Sequence, residues 1–546
     1  MSPDIHSIFA QLDPDSQHIV QALAVFGRPV PPDAVSTVLF RYRPDLDPDR
    51  AAAIMERLTT EQPDLVQRED GAFRLAPDAR APLMESIPRG ELSDYYEAGD
   101  PLYTQCALLM RAADYFAGQR LPTEEWSSLD ALQPQLAEFD LRCQAEDFEG
   151  AAWAVADITF EYLLRWGHYR LVADLRERLI DHLTDPLLRQ ANLGELGTVY
   201  AVLGDLEKSI AYKEQALAIA RATGDRLNEQ VWLSNLGAGY LALGRIREAL
   251  DCFARVFTAA RALNDRHSQM QMLIALSVCN AKVGDFEPAL ACLTEARGIA
   301  REQDDLRAEG YCLTNMGNVY TALGEVAPAM DLHRKAVAIA QAVGSQMEHA
   351  TWLGNLGESL VVGGSFHIAR AVLGTALTID EEIGHARGKS LRGGSLASAF
   401  LLSGDFGMAR HQAQTASQFH TPSNDHNVLA VLGIAAWREG DPGPAREAFA
   451  GARSSAQALL GHNPDGIDTW YTLGLVEAGL ALCSDNMDQA AAHVAAAASA
   501  YRRARSISPA PGLAQHAQRL FEVLADGSGG ALLDAARSAL TEAPSG

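Results

Sequence analysis

The 546-residue sequence predicts a mostly α-helical protein in which pairs of helices repeat along the chain. The first observation is a series of glycines spaced forty residues apart, at Gly204, Gly244, Gly284, Gly324, Gly364 and Gly404. The second is a series of small residues at a constant offset after them, at Ser209, Ala249, Ala289, Ala329, Ala369 and Ala409. Glycine readily ends a helix in the left-handed conformation, and small residues let two helices approach closely. Each unit is therefore predicted as helix, tight turn, helix.

The best copy of the unit carries a motif on both sides of its turn. Its residues are Leu236, Gly237, Tyr240, Gly244, Ala249 and Phe253. The pattern resembles the tetratricopeptide repeat, in units longer than the usual length of roughly 34 residues. Six clear repeats span about residues 186–425, and degenerate copies lie on both sides of them. The resemblance implies a right-handed superhelix, an α-solenoid, whose first helices line a concave groove.

The segment before the repeats predicts a small separate domain. Helices are expected at His18–Gly27, Pro31–Phe40 and Asp47–Gln62, the last of them capped by Asp47 or Asp49. Apolar and polar residues then alternate around an Asp-Gly pair over Asp64–Pro77, which predicts a hairpin. Three helices followed by a hairpin indicate a winged-helix domain.

Four domains follow from these patterns. They are a winged-helix-like domain at 1–84, a helical bridge at 85–145, the repeat superhelix at 146–506, and capping helices with a loose tail at 507–546.

Three stretches of sequence extend the resemblance to a second family. QALAVFGRPVPPDAV in the N-terminal domain resembles the winged helix of actinobacterial STAND ATPases of the NB-ARC class. WSSLDALQPQLAEFDLRC and YLLRWGHYRLVADLRERL resemble the segment that joins that winged helix to the repeats in the same family. The resemblance implies that the repeats sense a ligand while a nucleotide-binding module, in cis or in trans, switches state. The sequence contains no phosphate-binding loop or Walker B strand, so no ATPase activity is implied for this chain.

GHARGKS, from Gly384 to Ser390, comes closest to a phosphate-binding loop. Such a loop needs four residues between its glycines and a strand before it. Here three residues separate Gly384 from Gly388, and a helical pattern precedes them. Gly224 and Gly344 hold the same repeat position as Gly384, with Asn264 and Asp304 in the other copies. The stretch is therefore predicted to be a joint between two helices.

Composition and motifs exclude several classes of function. The net charge of −25 disfavours nucleic acid and anionic membranes as partners, because binding to phosphates requires Lys and Arg. No apolar run has transmembrane length, and the seven cysteines form no disulfide framework, so a cytoplasmic protein is expected. No catalytic constellation, metal motif or cofactor motif is found, and the chain is predicted not to be an enzyme.

The candidate binding residues lie on the first helices of the repeats. An asparagine column at Asn235, Asn315 and Asn355 is expected to face the groove. An asparagine amide both donates and accepts hydrogen bonds, which suits recognition of a peptide backbone. The same register adds Ser234, Tyr311, Asn318 and Glu358. The positions of a two-carboxylate clamp carry no Lys or Arg, so a chaperone tail is not the expected ligand.

Three functions are compatible with these features. The first is a protein- or peptide-binding sensor arm of a STAND-type signalling or defence regulator. The second is a stand-alone adaptor that joins two proteins. The third is a DNA-binding transcriptional regulator with a repeat sensor, although the third helix offers only Arg50 and Arg57 for contacts to DNA.

Overall fold

The computed structural model describes residues 5–97, 99–421, 423–508, 510–526 and 530–541. The chain divides into two compact units, Met1–Arg226 and Leu227–Gly546. Each unit has its own hydrophobic core and is described by itself.

The N-terminal unit begins with helices and a hairpin. They are α1 (Ile5–Gln11), α2 (Pro14–Phe26), α3 (Pro32–Leu39), α4 (Pro48–Glu61), β1 (Val66–Glu69) and β2 (Ala72–Leu75). The Asp47 side chain accepts a hydrogen bond from the backbone N–H of Arg50, so Asp47 is the residue that caps α4. The strands pair antiparallel around Asp70 and Gly71, which both have positive φ, as a two-residue hairpin turn requires. Val30 pairs with Phe73 and adds a short bridge beside the hairpin.

The rest of the N-terminal unit is helical. It contains α5 (Arg80–Glu85), α6 (Leu92–Tyr96), α7 (Gln105–Gly118), α8 (Gln133–Gln144), α9 (Phe148–Ile158), a π-helical turn (Thr159–Leu164), α10 (Tyr169–Glu177), α11 (Pro186–Leu203) and α12 (Leu206–Thr223). A buried ion pair joins Arg176 to Glu195 at 2.7 Å, and Arg176 also donates to the Thr159 hydroxyl at 2.9 Å. Removing either partner would leave a buried charge uncompensated, so this pair helps to fix how α10 and α11 pack.

The C-terminal unit consists of helix pairs in regular order. They are α13 (Arg226–Ala242), α14 (Ile246–Ala262), α15 (Arg266–Lys282), α16 (Phe286–Glu302), α17 (Leu306–Ala322), α18 (Val326–Val343), α19 (Gln346–Val362), α20 (Phe366–Glu382), α21 (Ala386–Leu402), α22 (Phe406–Ala416), α23 (Asp425–Arg438), α24 (Pro442–His462), α25 (Ile467–Leu482) and α26 (Met487–Ile507). Odd-numbered helices are the first of each pair. The inner face is the side of these first helices that carries Asn315, Asn355 and Ser395.

The turns within the pairs follow the forty-residue glycine series. Every glycine of that series has a positive φ, between 78° and 88°. The joints between pairs show the same rule, since Gly344 has φ 70° while Asn264 and Asp304 have φ 54°. Asparagine and aspartate tolerate this left-handed region better than other side-chain-bearing residues. The register read from the sequence therefore located both kinds of turn.

Glycines inside the first helices allow the paired helices to pack closely. A Cβ built on Gly237 would lie 2.5 Å from the Phe253 ring, and one on Gly357 would lie 2.5 Å from Leu373. At the corresponding Gly317, the neighbour is the imidazole of His333, at 2.6 Å. A large side chain from the second helix thus fills the space above each glycine.

GHARGKS is a joint between α20 and α21, as the repeat register predicts. Gly384 has φ +70°, and no strand precedes it. The Asp380 carboxylate is fully buried here, 2.9 Å from Nδ1 of His385 and 3.2 Å from Nε of Arg392. A Cβ at Gly388 would lie 2.2 Å from that carboxylate, so glycine at this position makes room for an ion cluster.

Two helices follow the repeats, α27 (Pro511–Ala525) and α28 (Asp534–Thr541). The sequence predicted both as caps on the end of the stack. α28 packs against α26, but α27 does not lie at the end, because it packs across α17, α19, α21, α23 and α25. Its buried residues include Leu520, Phe521 and Leu524. An amphipathic helix must bury its apolar side, and the inner face provides the partner.

Candidate functional site

A cavity of about 440 Å³ lies between the inner face and α27. Side chains of α15, α17, α19, α21, α23, α25 and α27 line it, with a smaller contribution from α16. Pockets of this size, of roughly 300–1,000 Å³, are typical of ligand sites in proteins. All of its described lining belongs to the C-terminal unit.

Helices near the start of the C-terminal unit contact helices near its end, beside the cavity. Arg247 pairs with Asp465 at 2.8 Å. The Ser508 hydroxyl donates to the Gly284 carbonyl at 3.0 Å. Lys282 on α15 lies 4.0 Å from Asp468 on α25, within the lining itself. The successive pairs therefore curve until α25 meets α15, and their first helices surround a common space.

Helix α27 covers one side of the cavity and contacts the inner face along its length. Near its start, a Cβ on Gly512 would lie 2.0 Å from the Thr321 carbonyl oxygen, so only glycine permits this approach to α17. Further along, the Arg519 guanidinium donates to the carbonyls of Val361, at 3.1 Å, and Val362. Arg438 on α23 donates to the Val523 carbonyl at 2.7 Å. These bonds satisfy carbonyls near helix ends and hold α27 against the inner face.

The polar lining is arranged in two columns that follow the repeat. One column contains Asn315, Asn355 and Ser395, and the other contains Asn318, Glu358 and Ser398. Asn355 donates to the Thr314 hydroxyl at 3.0 Å, which leaves its amide oxygen free to accept. Among the described residues, the side-chain amides of Asn315 and Asn318 have no hydrogen-bond partner. The inner face thus presents unused donors and acceptors to the cavity.

The described lining of the cavity contains one lysine, two acidic residues and one histidine. Lys282 and Asp468 face each other, and Glu358 accepts a hydrogen bond from Ser395 at 2.9 Å. Burial raises the pKa of Glu358, and the Ser395 hydrogen bond and the charges of Arg392 and Lys282 oppose this shift. Burial lowers the pKa of His516 to about 4, so its imidazole is neutral at pH 7. Although surrounding protein atoms reduce the hydration of this carboxyl, Glu358 is itself an exposed residue and is accessible to a molecule that enters the cavity.

The structure brings four of the seven predicted groove residues together. Asn315, Asn318, Asn355 and Glu358 all line the cavity. Tyr311 lies apart from it, because its hydroxyl donates to Glu348 at 3.0 Å and its ring packs edge-on against Trp352. That these seven residues bind a ligand stays a prediction.

The other two predicted residues, Asn235 and Ser234, are on α13, which contributes none of the described lining. The Ser234 hydroxyl contacts the Met272 sulfur at 3.8 Å. Asn235 is exposed on the same helix. Their repeat position matches that of the cavity residues, but their surroundings differ.

Several lining residues were not found from the sequence. They include Lys282, Asn424, Asn427, Asp468, Thr472 and His516. A signal did exist for Asn427, because Gly440 has the positive φ of a repeat turn and places Asn427 at the repeat position of Tyr311. No repeat register could have identified His516, which belongs to α27.

Metal ligands, membrane-spanning helices and thiols bear on the class of site. Within the described ranges, no group of His, Cys, Asp or Glu side chains is arranged to hold a metal ion. Among the helices that the structure describes, none combines the length and apolar character needed to cross a membrane. All seven cysteines are free thiols.

Family models for the tetratricopeptide repeat match residues 188–262 and 310–343. No curated protein matches the chain. Together with the helix pairs and their glycine turns, the two matches establish the repeated part of the chain as a tetratricopeptide-repeat α-solenoid.

The chain is also similar to solved structures of low sequence identity. One is a Rap protein complexed with competence and sporulation factor, with 14% identity, TM-score 0.45, and coverage of 65% of this chain and 93% of that chain. Another is the apo quorum sensor NprR from B. thuringiensis, with 14% identity, TM-score 0.42, and coverage of 63% and 97%. A third is a STAND protein with a tetratricopeptide-repeat sensor from Pyrococcus horikoshii, with 13% identity, TM-score 0.38, and coverage of 91% and 64%.

Proposed function

We propose that the chain is a non-catalytic module that binds a peptide or an extended protein segment in the inner cavity, as the sensing arm of a STAND-type regulator. The observation that supports binding is the pair of polar columns from α17, α19 and α21 in the lining of the cavity. The STAND assignment rests on the resemblance of the N-terminal and bridging sequences. The three helices, the hairpin and the Val30–Phe73 bridge of the N-terminal unit are compatible with the winged helix that this assignment includes.

A peptide suits this lining better than a purely apolar ligand. An extended backbone offers one donor and one acceptor per residue, and these groups need partners when water is excluded. Asn315 and Asn355 occupy equivalent places on neighbouring first helices and can offer an amide to successive backbone groups. Apolar side chains such as Val319, Val431 and Leu475 complete the lining and can hold the ligand's side chains.

Catalysis is not part of the proposal. Ser395, the residue that faintly resembles a catalytic serine in GGSLA, lies within helix α21. A nucleophile elbow requires a strand-to-helix turn that exposes the serine. The Ser395 hydroxyl instead donates to the Glu358 carboxylate, and both residues line the cavity.

The arginines of α4 argue against DNA as the ligand of the N-terminal domain. Arg50 forms ion pairs with Asp15 and with Asp45, the latter at 2.8 Å. Arg57 pairs with Asp13 at 2.7 Å. Contact with phosphates would have to break these pairs in a chain that is already strongly acidic.

A selection from a random peptide pool tests the proposal. The full chain is immobilised and incubated with random hexapeptides, and retained peptides are identified by mass spectrometry. The double variant Asn315→Ala, Asn355→Ala removes two amides and is expected to reduce retention by roughly thirtyfold, since each hydrogen bond contributes about 1 kcal/mol.

Asn235→Ala is the matched control, because it removes the same side chain at the same repeat position outside the cavity. It should leave retention unchanged. The proposal fails if the wild-type chain retains no peptide, or if Asn235→Ala weakens retention as much as the double variant does.

A further inference from the structure

Among the described residues of the cavity lining, Glu358 is the one charged side chain that lacks an opposite charge beside it. Its carboxylate accepts a hydrogen bond from Ser395 at 2.9 Å. Within the described part of the chain, no Lys, Arg or His lies within ion-pair distance of it. It lies on α19, in the second polar column between Asn318 and Ser398.

The cations nearest to Glu358 are already engaged elsewhere. Lys282 faces Asp468 at 4.0 Å. Arg392 contacts the buried Asp380 carboxylate at 3.2 Å and donates to the Thr351 hydroxyl at 2.7 Å. His516 on α27 is neutral at pH 7. With all its acidic groups ionised, the described lining therefore has one more negative than positive charge, and the excess is located at Glu358.

Once a ligand displaces water from the cavity, an ionised carboxylate there is costly unless it is paired. Two outcomes relieve the cost, protonation of the carboxyl group or the arrival of a cation. A primary ammonium or a guanidinium would pair with the carboxylate through charge-assisted hydrogen bonds. The unpartnered amides of Asn315 and Asn318 lie on the neighbouring helix α17, where they can hold the backbone that carries such a group.

We propose that Glu358 selects ligands that carry a cation, so that the cavity takes a peptide whose ammonium or guanidinium group pairs with this carboxylate. This inference rests on the proposed function and adds the chemical class of the ligand. The cation can come from a Lys or Arg side chain or from a free peptide N-terminus. The two sources share the same chemistry at Glu358.

Fluorescent hexapeptide pools with one fixed residue test the inference with the full chain. N-acetylated pools have Lys, Arg, Glu or norleucine at the fixed position, and a further norleucine pool has a free N-terminus. Norleucine resembles lysine without its charge. Fluorescence anisotropy is expected to show binding at least tenfold tighter for a cationic pool than for acetylated norleucine.

Variants at Glu358 then identify the residue responsible. Glu358→Gln keeps the shape and should reduce the preference for cationic pools to less than twofold. Glu358→Lys should reverse it in favour of the Glu pool, and a thermal melt checks that this variant folds. If it does not fold, Glu358→Gln alone decides. Glu382→Gln, an exposed position on α20, removes the same charge outside the cavity and should change nothing.

The outcomes separate this inference from the proposed function. Preference for the Lys or Arg pool supports a side-chain cation, and preference for the free N-terminus alone supports the terminal ammonium. Equal binding of the norleucine and cationic pools, with Asn315→Ala, Asn355→Ala still weakening it, overturns the role of Glu358 but retains peptide binding. Absence of binding by every pool overturns both.

Discussion

Asn235 on α13 and Asn315 on α17 occupy the same repeat position, yet of the two only Asn315 lines the cavity. Both asparagines lie on first helices with a glycine packed against the second helix of the pair, at Gly237 and Gly317. The difference is that α27 covers α17, whereas α13 contributes nothing to the described lining of the cavity. The repeat register thus fixes the side of the helix on which a residue lies. Contacts outside the repeat, such as those of α27, determine whether that residue lines the cavity.

The covered region depends on α27, so loss of its main apolar contact should have the largest effect. Phe521 is 0% exposed and packs edge-on against Tyr501, with ring centroids 6.2 Å apart. Phe521→Ala is expected to lower the free energy of unfolding of the C-terminal unit by about 3–5 kcal/mol. Urea denaturation followed by circular dichroism measures this change.

The control for this substitution is Phe40→Ala, because Phe40 is 63% exposed. It should change stability by no more than about 0.5 kcal/mol. A loss below about 1 kcal/mol for Phe521→Ala would mean that α27 is not anchored in the way described.

The pair α17–α18 differs from its neighbours by placing an imidazole in its packing slot. Burial lowers the pKa of His333 from its ordinary 6.5 to about 4. The folded state therefore binds fewer protons than the unfolded state between these values. The stability due to neutral His333 is fully present above about pH 6.5 and falls by about 3 kcal/mol as the pH drops to about 4.

His333→Leu tests this pH dependence, since Leu373 fills the equivalent slot in the next pair. Urea denaturation at several pH values gives the free energy of unfolding of both proteins. The difference between them should change by about 3 kcal/mol between about pH 6.5 and pH 4. Unfolding free energies that run parallel from pH 7 to pH 4 would show that His333 titrates normally in the folded protein.

A smaller effect is expected where α27 approaches α17. Gly512→Ala places a methyl group against the Thr321 carbonyl oxygen and should cost about 1–3 kcal/mol. Amide hydrogen exchange within α27 should become faster as well. Gly298→Ala is the matched control, since a Cβ there meets open space, and it should stabilise α16 by up to about 1 kcal/mol. Equal effects for the two variants would contradict close seating of α27.

The sequence was sufficient for features that depend on local backbone requirements. The forty-residue register located the positive-φ positions, including Asn264 and Asp304, and it explained GHARGKS as a joint. It also placed Asn315, Asn355 and Glu358 on one side of the first helices. These outcomes follow because turns and helix faces are set by residues close together in the chain.

The cavity could not be predicted from the same patterns. The apolar period of α27 shows that one side must be buried, but it does not say against which helices. Lys282 and Asp468 lie far apart in sequence and meet only because the pairs curve around to each other. His516 lines the cavity because it lies on α27, which is not part of the repeats, so the repeat register could not identify it.

Hydrogen exchange with and without a peptide selected from the random pool tests the central claim most directly. If the ligand occupies the cavity, added peptide should slow exchange in α17, α19, α21 and α27, while α13 and the outward second helices stay unchanged. Protection centred on α13 and Asn235, with none in α19 or α27, would contradict the account.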